Sequence, residues 1–199
     1  MSDQLRIFRS TGAALERFIP ALAQLRITVF RDFPYLYDGN MDYEQRYLRT
    51  YVEAPGSVMV LVVDGDDIVG ASTAVPLEYE TNEIKLPFVQ AGVDPRRVFY
   101  LGESVLRENY RGRGLGVRFF REREAHAREI GQFEHAAFCA VDRPSDHPRR
   151  PAGYTPLDAF WRKRGYEKQS QLRTTMTWRD LDEATPTPKP MTFWLKRLS

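Results

Sequence analysis

The sequence is poor in the residues that build cross-links and metal centres, with one cysteine, Cys139, and three histidines in 199 residues. A single cysteine excludes an internal disulfide and any zinc site made of several thiolates, and it suits a reducing compartment. No two histidines stand at ligand spacing, so no metal site is expected. Long apolar runs are missing too. The longest, Val58 to Val63, falls far short of a bilayer span, and the opening MSDQLRIF has neither the basic start nor the apolar stretch of a secretion signal. Nor does one charge dominate: 29 Lys and Arg face 27 Asp and Glu, a formal net charge of +2. No global field gathers nucleic acid or an anionic membrane, so an anionic partner must be held locally. These absences point to a cytoplasmic protein with neither nucleic acid nor membrane as partner.

What is present reads as one folded domain over residues 1–199. With 42% apolar and 28% charged residues, the chain is long enough to bury a core. Leu5 to Arg9 is a short strand candidate. Leu15, Phe18, Leu22, Leu25 and Val29 then recur at helical spacing, with Pro20 starting or bending the helix. After the loop DFPYLYDGN, Asp42 and Gln45 resemble a capping box, and Tyr43, Tyr47 and Tyr51 fall on one side of the helix it would open. VMVLVV and IVGASTAVPL flank the turn DGDD as an antiparallel hairpin. Residues 78 to 97 read as a polar, proline-containing loop. A strand at Val98 to Leu106 is followed by a helix from Leu115 to Ile130, with Val117, Phe120, Ala127 and Ile130 on one face, and then by a strand at Glu134 to Val141. The stretch DRPSDHPRRPAGYTP is too rich in proline for regular structure and leads into a helix carrying LDAFWRKR. Strands at Leu172 to Trp178 and Met191 to Leu198 close the chain. This order implies a mixed sheet with helices packed on it, a single α+β domain.

The segment YLGESVLRENYRGRGLGVRFF joins a strand to a helix through glycines at 112, 114 and 116. Free backbone N–H groups and the positive end of a helix dipole meet there, an arrangement suited to pyrophosphate. A Walker A loop is ruled out because no Lys-Ser or Lys-Thr follows the glycines. A dinucleotide fingerprint needs Gly-x-Gly-x-x-Gly, and although Glu134 lies about 20 residues on, it begins its strand and no second strand-helix-strand half follows. Arg111, Gly114 and Gly116 satisfy Gln/Arg-x-x-Gly-x-Gly/Ala, the coenzyme A pyrophosphate loop of the GNAT acyltransferase superfamily, which this sequence resembles. Leu106 ends a hydrophobic strand five residues before Arg111, and Tyr110 is the aromatic just before it. Phe160, Trp161, Gly165 and Tyr166 supply the later aromatic-x-x-x-Gly-aromatic pattern. With the order of predicted elements, the likeness spans nearly the full chain.

The resemblance implies an α/β/α-type fold, a mixed and mainly antiparallel sheet of about six to seven strands flanked by about four helices. It also implies an enzyme that uses acetyl-CoA as acyl donor, without a metal, and transfers the acetyl group to a primary amine by direct attack in a ternary complex. The acceptor would be a small amine or a protein amine, and a homodimer is compatible with this reading. Ser104, Val105 and Leu106 would contact the acyl and pantetheine groups through main chain, where an N–H aimed at the carbonyl oxygen stabilises the charge that grows there. The pyrophosphate would lie on the amides of Gly112, Arg113, Gly114, Leu115, Gly116 and Val117, with Arg111 and Arg113 as charge partners.

An alkylammonium must lose a proton before attack. Glu103, in an otherwise apolar strand beside the acyl site where burial favours the neutral carboxyl, is the candidate base, and Glu78, Glu80 and Glu83 are further candidates of the same sort. Where many members of the family carry a tyrosine that returns a proton to the departing thiolate, this chain has Trp161, read as a wall of the thiol and acyl pocket. Tyr154 is the candidate donor in its place. Asp32, Tyr35, Tyr37 and Asp38 would suit a cationic or aromatic amine. Two rivals predict different behaviour. A silent acyl-CoA-binding module on the same fold would bind without turnover, and a nucleic-acid binder built on RENYRGRG and HPRRP would need clustered basic patches with stacking aromatics.

Overall fold

Around DGDD, β2 (Val58–Asp64) and β3 (Asp67–Pro76) pair antiparallel, with Gly65 supplying the positive φ the tight turn requires. The computed structural model describes residues 5–198. β1 (Arg6–Ser10) lies antiparallel on the outer side of β2, and β4 (Val98–Leu106) lies antiparallel on β3. β5 (His135–Val141) runs parallel to β4, β7 (Thr187–Arg197) antiparallel to β5, and β6 (Glu167–Trp178) closes the far edge. The order β1-β2-β3-β4-β5-β7-β6 makes a seven-stranded sheet, mainly antiparallel with one parallel pair.

Side-chain alternation sends each strand's residues to two layers. Met59, Leu61, Val75 and Phe193 face α1 (Ile19–Phe30), α2 (Met41–Glu53) and α3 (Asn82–Gln90), meeting Leu22, Leu48, Ile84 and Phe88. Phe99, Leu101, Phe138 and Trp194 face the other way, onto Phe120 and Ala127 of α4 (Leu115–Ile130) and onto Phe160 and Trp161 at α5 (Asp158–Arg162). Val60, Val62 and Val69 take Leu115 and Phe119 of α4. Each fully buried aliphatic side chain contributes about 1.5–3 kcal/mol, so both layers are held to the sheet. The result is the α/β/α arrangement of an α+β fold.

Several elements depart from the sequence reading. The cap of α2 is Asn40, whose side chain accepts from the Tyr43 N–H, and not Asp42 with Gln45. Tyr43 is exposed while Tyr51 is fully buried, because a spacing of four drifts around the helix. Residues 78 to 97 are not a loop. They hold α3, so the described residues contain five α-helices where about four were expected. Pro87 sits inside α3 and cannot donate to the carbonyl of Glu83 four residues earlier, and the Thr174 hydroxyl of β6 donates to that oxygen instead. Ile84 and Phe88, one turn apart, then bury the helix against the core. Tyr166 precedes β6 and is buried, donating through its hydroxyl to Glu124 at 3.0 Å.

Candidate active site

Two irregularities in β4 create the site. Ser104 pairs with Ser72 and Leu101 with Ala74, so Gly102 and Glu103 together oppose Thr73. That extra residue is a β-bulge, which re-aims the side chains beyond it. Val98 and Tyr100 face the α1–α3 layer and Leu101 faces α4, yet Glu103 again faces α1, where it meets Arg26. A Cβ at Gly102 would collide with the Tyr51 hydroxyl and Thr73 Oγ1, so glycine lets α2 close over the bulge. The second irregularity is a divergence. β4 pairs with β5 only at Val98–His135, Phe99–Ala136 and Tyr100–Ala137, after which β5 stays with β7 and β4 stays with β3. Leu101 to Leu106 therefore presents an unpaired edge, the kind of surface an extended chain of amides can join.

The glycine segment lies at the end of that edge. Gly112 and Gly114 both have φ +78°, which glycine adopts without strain, and Gly114 is the residue from which α4 starts. Among the described residues, nothing lies within 4 Å of the place a Cβ would occupy at either position. The carbonyl of Gly114 accepts from Val117 and Arg118, while the N–H groups of Gly112 to Gly116 find no acceptor among the described residues. Leu115 is buried and anchors the helix, leaving only its main chain for a ligand. Gly116 faces Phe160, and Val117 is half-buried. Arg111 donates through Nε to the carbonyl of Leu106 at 3.3 Å and pairs with Asp32 at 3.7 Å. Arg113 lies over the ring of Tyr110 and donates to the carbonyl of Asn109. Unspent amides, a helix dipole, exposed guanidiniums and open space fit a pyrophosphate.

Behind the open edge, α1 and α2 enclose a polar cluster. The guanidinium of Arg26 stands 2.7 Å from Glu103 Oε2 and also pairs with Glu44, which accepts a hydrogen bond from the Tyr37 hydroxyl. Although burial opposes its charge, Glu103 and Glu44 hold the Arg26 pKa well above its ordinary value. Glu103 Oε1 is buried without a hydrogen-bond partner among the described residues. Glu80 is buried close by, accepting from Tyr51 at 3.4 Å and from the Thr81 N–H at 3.2 Å, and the Tyr51 hydroxyl also meets that of Tyr47 at 3.0 Å. Burial pushes the Glu80 carboxyl up to about 7, with the charge of Glu103 adding to the rise against the two hydrogen bonds.

Glu80 makes the stability of the fold depend on pH. Its folded pKa lies above its ordinary 4.5, so its contribution is complete below about pH 4.5 and is lost as pH rises through about 7. The loss amounts to about 3 kcal/mol at most. Urea midpoints should decline from pH 5 to 7.5 in the parent and decline less in Glu80→Gln.

The loops nearest the open edge use up most of the polar groups the sequence offered for acceptor selection. Asp38 pairs with Arg179, and Tyr35 packs against Phe30 and Trp178. Arg143 donates to the carbonyls of Pro34 and Tyr35 and pairs with Asp180, which fixes the loop. Packing and pairing thus account for Asp32, Tyr35, Tyr37 and Asp38. Tyr154 meets Phe33 edge-on at 4.7 Å, and its hydroxyl has no hydrogen-bond partner among the described residues. Trp161 packs edge-on against Phe138 at 5.1 Å and Trp194 at 5.0 Å and is half-buried. Ser104 is exposed, Val105 is buried in the core and Leu106 is half-buried. Glu78 and Glu83 stand outside the cluster: Glu83 lies in the first turn of α3, and the carbonyl of Glu78 accepts from Lys85.

Sequence reasoning missed Arg26, Glu44 and Arg123, all buried. A charged residue inside an apolar helical stripe was the available signal. Arg26 follows Leu22 and Leu25, and Arg123 falls between Phe120 and Ala127. Cys139 is buried with its sulfur 3.1 Å from the Tyr100 hydroxyl, and burial pushes its thiol up to about 12, which makes it a core residue. Among the described residues no three His, Cys, Asp or Glu side chains group as metal ligands, and no helix is long and apolar enough to cross a membrane.

Comparison with known proteins agrees with this geometry. No curated protein matches the sequence. Solved structures of similar fold include the ribosomal-protein-alanine N-acetyltransferase of Brucella melitensis, with TM-score 0.63 and 16% identity over 97% of this chain and 99% of that one. An N-acetyltransferase of Staphylococcus aureus Mu50 gives TM-score 0.62 and 9% identity over 98% and 99% of the two chains. An acetyltransferase of the GNAT family from Streptococcus pneumoniae gives 0.59 and 13% over 98% and 100%. The model of the acetyltransferase (GNAT) family matches residues 22–152, a span that takes in the polar cluster, the bulged strand, the glycine segment and most of the proline-rich loop. The chain belongs to the GNAT acetyltransferase family.

Proposed function

We propose that the protein is an acyl-CoA-dependent N-acyltransferase that moves an acetyl group from acetyl-CoA to a primary amine. The observation that carries this reading is the unpaired edge of β4 running from a buried carboxylate, Glu103, to the unspent amides of Gly112 to Gly116. Acetyl-CoA supplies a thioester whose carbon–sulfur bond breaks as the carbon–nitrogen bond forms. The amides and helix dipole of the glycine segment hold its pyrophosphate, with Arg111 and Arg113 adding charge. Main-chain groups of Ser104, Val105 and Leu106 align the arm and face the carbonyl oxygen. Glu103 takes one proton from the acceptor ammonium through Oε1, which has no hydrogen-bond partner among the described residues, while Arg26 holds Oε2. The nitrogen gives up a second proton after bonding, and Tyr154 supplies one to the departing sulfur and recovers it from water. Each amide made therefore releases one proton.

A screen of primary amines with acetyl-CoA, read as free thiol release, tests the reading. Turnover with any acceptor supports it, and binding without turnover across the screen supports a silent acyl-CoA module. Two variants separate the roles near the sulfur. Tyr154→Phe should lower kcat about tenfold with coenzyme A affinity unchanged. Trp161→Phe should weaken coenzyme A binding several-fold while the pH dependence of turnover stays as in the parent. Loss of turnover in a folded Trp161→Phe protein that binds coenzyme A normally would contradict the wall role.

A further inference from the structure

The bulge in β4 has a cost that ordinary pairing does not meet. Where Gly102 and Glu103 share Thr73 as a partner, regular ladder bonds are interrupted and main-chain carbonyls need other donors. Arg123, on α4, supplies them. Its Nη1 donates to the carbonyl of Thr73 at 3.1 Å and to that of Glu103 at 3.2 Å, and its Nη2 donates to Ser104 Oγ at 2.9 Å. Its Nε donates to the carbonyl of Phe119 at 3.1 Å, one turn back along its own helix. The side chain is 2% exposed, and no carboxylate pairs with it among the described residues. Burial lowers its pKa to about 10, against the pull of nearby Tyr166, Glu103 and Glu124, and it stays cationic at neutral pH. A buried cation without an ion pair is expensive, and hydrogen bonds to carbonyls are its compensation.

Glu103 is thereby held from both faces of the sheet, its carboxylate by Arg26 of α1 and its main chain by Arg123 of α4. α4 is also the helix that opens at the glycine segment, and from Leu115 to Arg123 is about two turns, roughly 12 Å along a rigid rod. We infer that Arg123 is a positioning residue for acyl transfer: it fixes the bulge that aims Glu103 and the β4 edge, and sets both in register with the cradle at the start of α4. This rests on the acyltransferase reading for its kinetic consequence, but not for its structural one. Lysine keeps the charge and loses the fork, so it can serve only part of the set.

The test uses the full chain with Arg123→Lys, Arg123→Met and Ser104→Ala. Misplacement of reacting groups by about 1 Å costs on the order of a hundredfold. We expect kcat to fall about a hundredfold in the Met variant and about tenfold in the Lys variant, with coenzyme A affinity by calorimetry within about threefold of the parent. Ser104→Ala removes one acceptor and should give a smaller loss of kcat with the same retention of affinity. If Arg123→Met does not fold, the Lys and Ala variants decide. A folded Arg123→Lys protein with parental kcat overturns the inference, as does a loss of kcat matched by an equal loss of coenzyme A affinity. Hydrogen exchange separates this failure from failure of the proposed reaction. The amides of residues 102 to 105 should exchange faster in Arg123→Lys while those of 119 to 122 do not change. That holds even if no acceptor is ever turned over, and unchanged exchange at 102 to 105 overturns the inference by itself.

Discussion

Gly114→Glu is expected to abolish measurable coenzyme A binding while the fold survives. Gly114 has φ +78° and starts α4, and the space beside it is open, so the chain around it need not move to admit a side chain. An L-residue in that conformation costs about 1–2 kcal/mol, a small part of a domain's stability. The carboxylate, however, would stand beside the amides assigned to pyrophosphate. Two like charges about 4 Å apart near a protein surface repel by roughly 4 kcal/mol, enough for a loss of about a hundredfold or more. Gly114→Ala carries the same backbone strain without the charge and should lose only several-fold. Calorimetric titration of both variants checks this. A Glu variant that folds and binds like the parent would remove the cradle from the account.

Glu103→Gln should lower kcat by about a hundredfold to a thousandfold, within the range general bases supply, and the acidic limb of the kcat/KM profile should move or vanish. Gln keeps the shape but cannot accept the proton, and it also leaves Arg26 with Glu44 as its one carboxylate partner among the described residues. Breaking a buried pair from one side costs about 3 kcal/mol or more, so a urea titration must accompany the kinetics to show the variant folded. Glu80→Gln is the control, since Glu80 lies in the same cluster but bonds to Tyr51 and Thr81. In this account it shifts stability with pH and leaves the acidic limb in place. If Glu80→Gln removes the limb and Glu103→Gln does not, the roles are exchanged.

The α+β fold was legible wherever one periodicity dominated. β4 and α4 begin and end at the residues expected, because an apolar run meets a glycine loop and then an amphipathic helix ending at Gly131. α3 was hidden because Pro87 counts against a helix locally, and its compensation by Thr174 comes from a strand 87 residues later. The bulge was equally hidden. Nothing near Gly102 announces that two residues will face Thr73, so the side of the sheet that Glu103 takes was not decided by alternation along β4. Glu103 itself stood out as a lone acid in an apolar strand, but its partner Arg26 lies 77 residues earlier on another element. Long-range polar pairs of this kind have no signature in local pattern, only the hint of a charge where a helix stripe calls for an apolar residue.

The most direct measurement is amide hydrogen exchange of the parent protein with and without acetyl-CoA. The account predicts slowed exchange in two separate segments, residues 101 to 106 on the open edge of β4 and residues 112 to 117 at the start of α4, with little change in β1 and β2. Binding that protects neither segment, or protection confined to another surface, would contradict it.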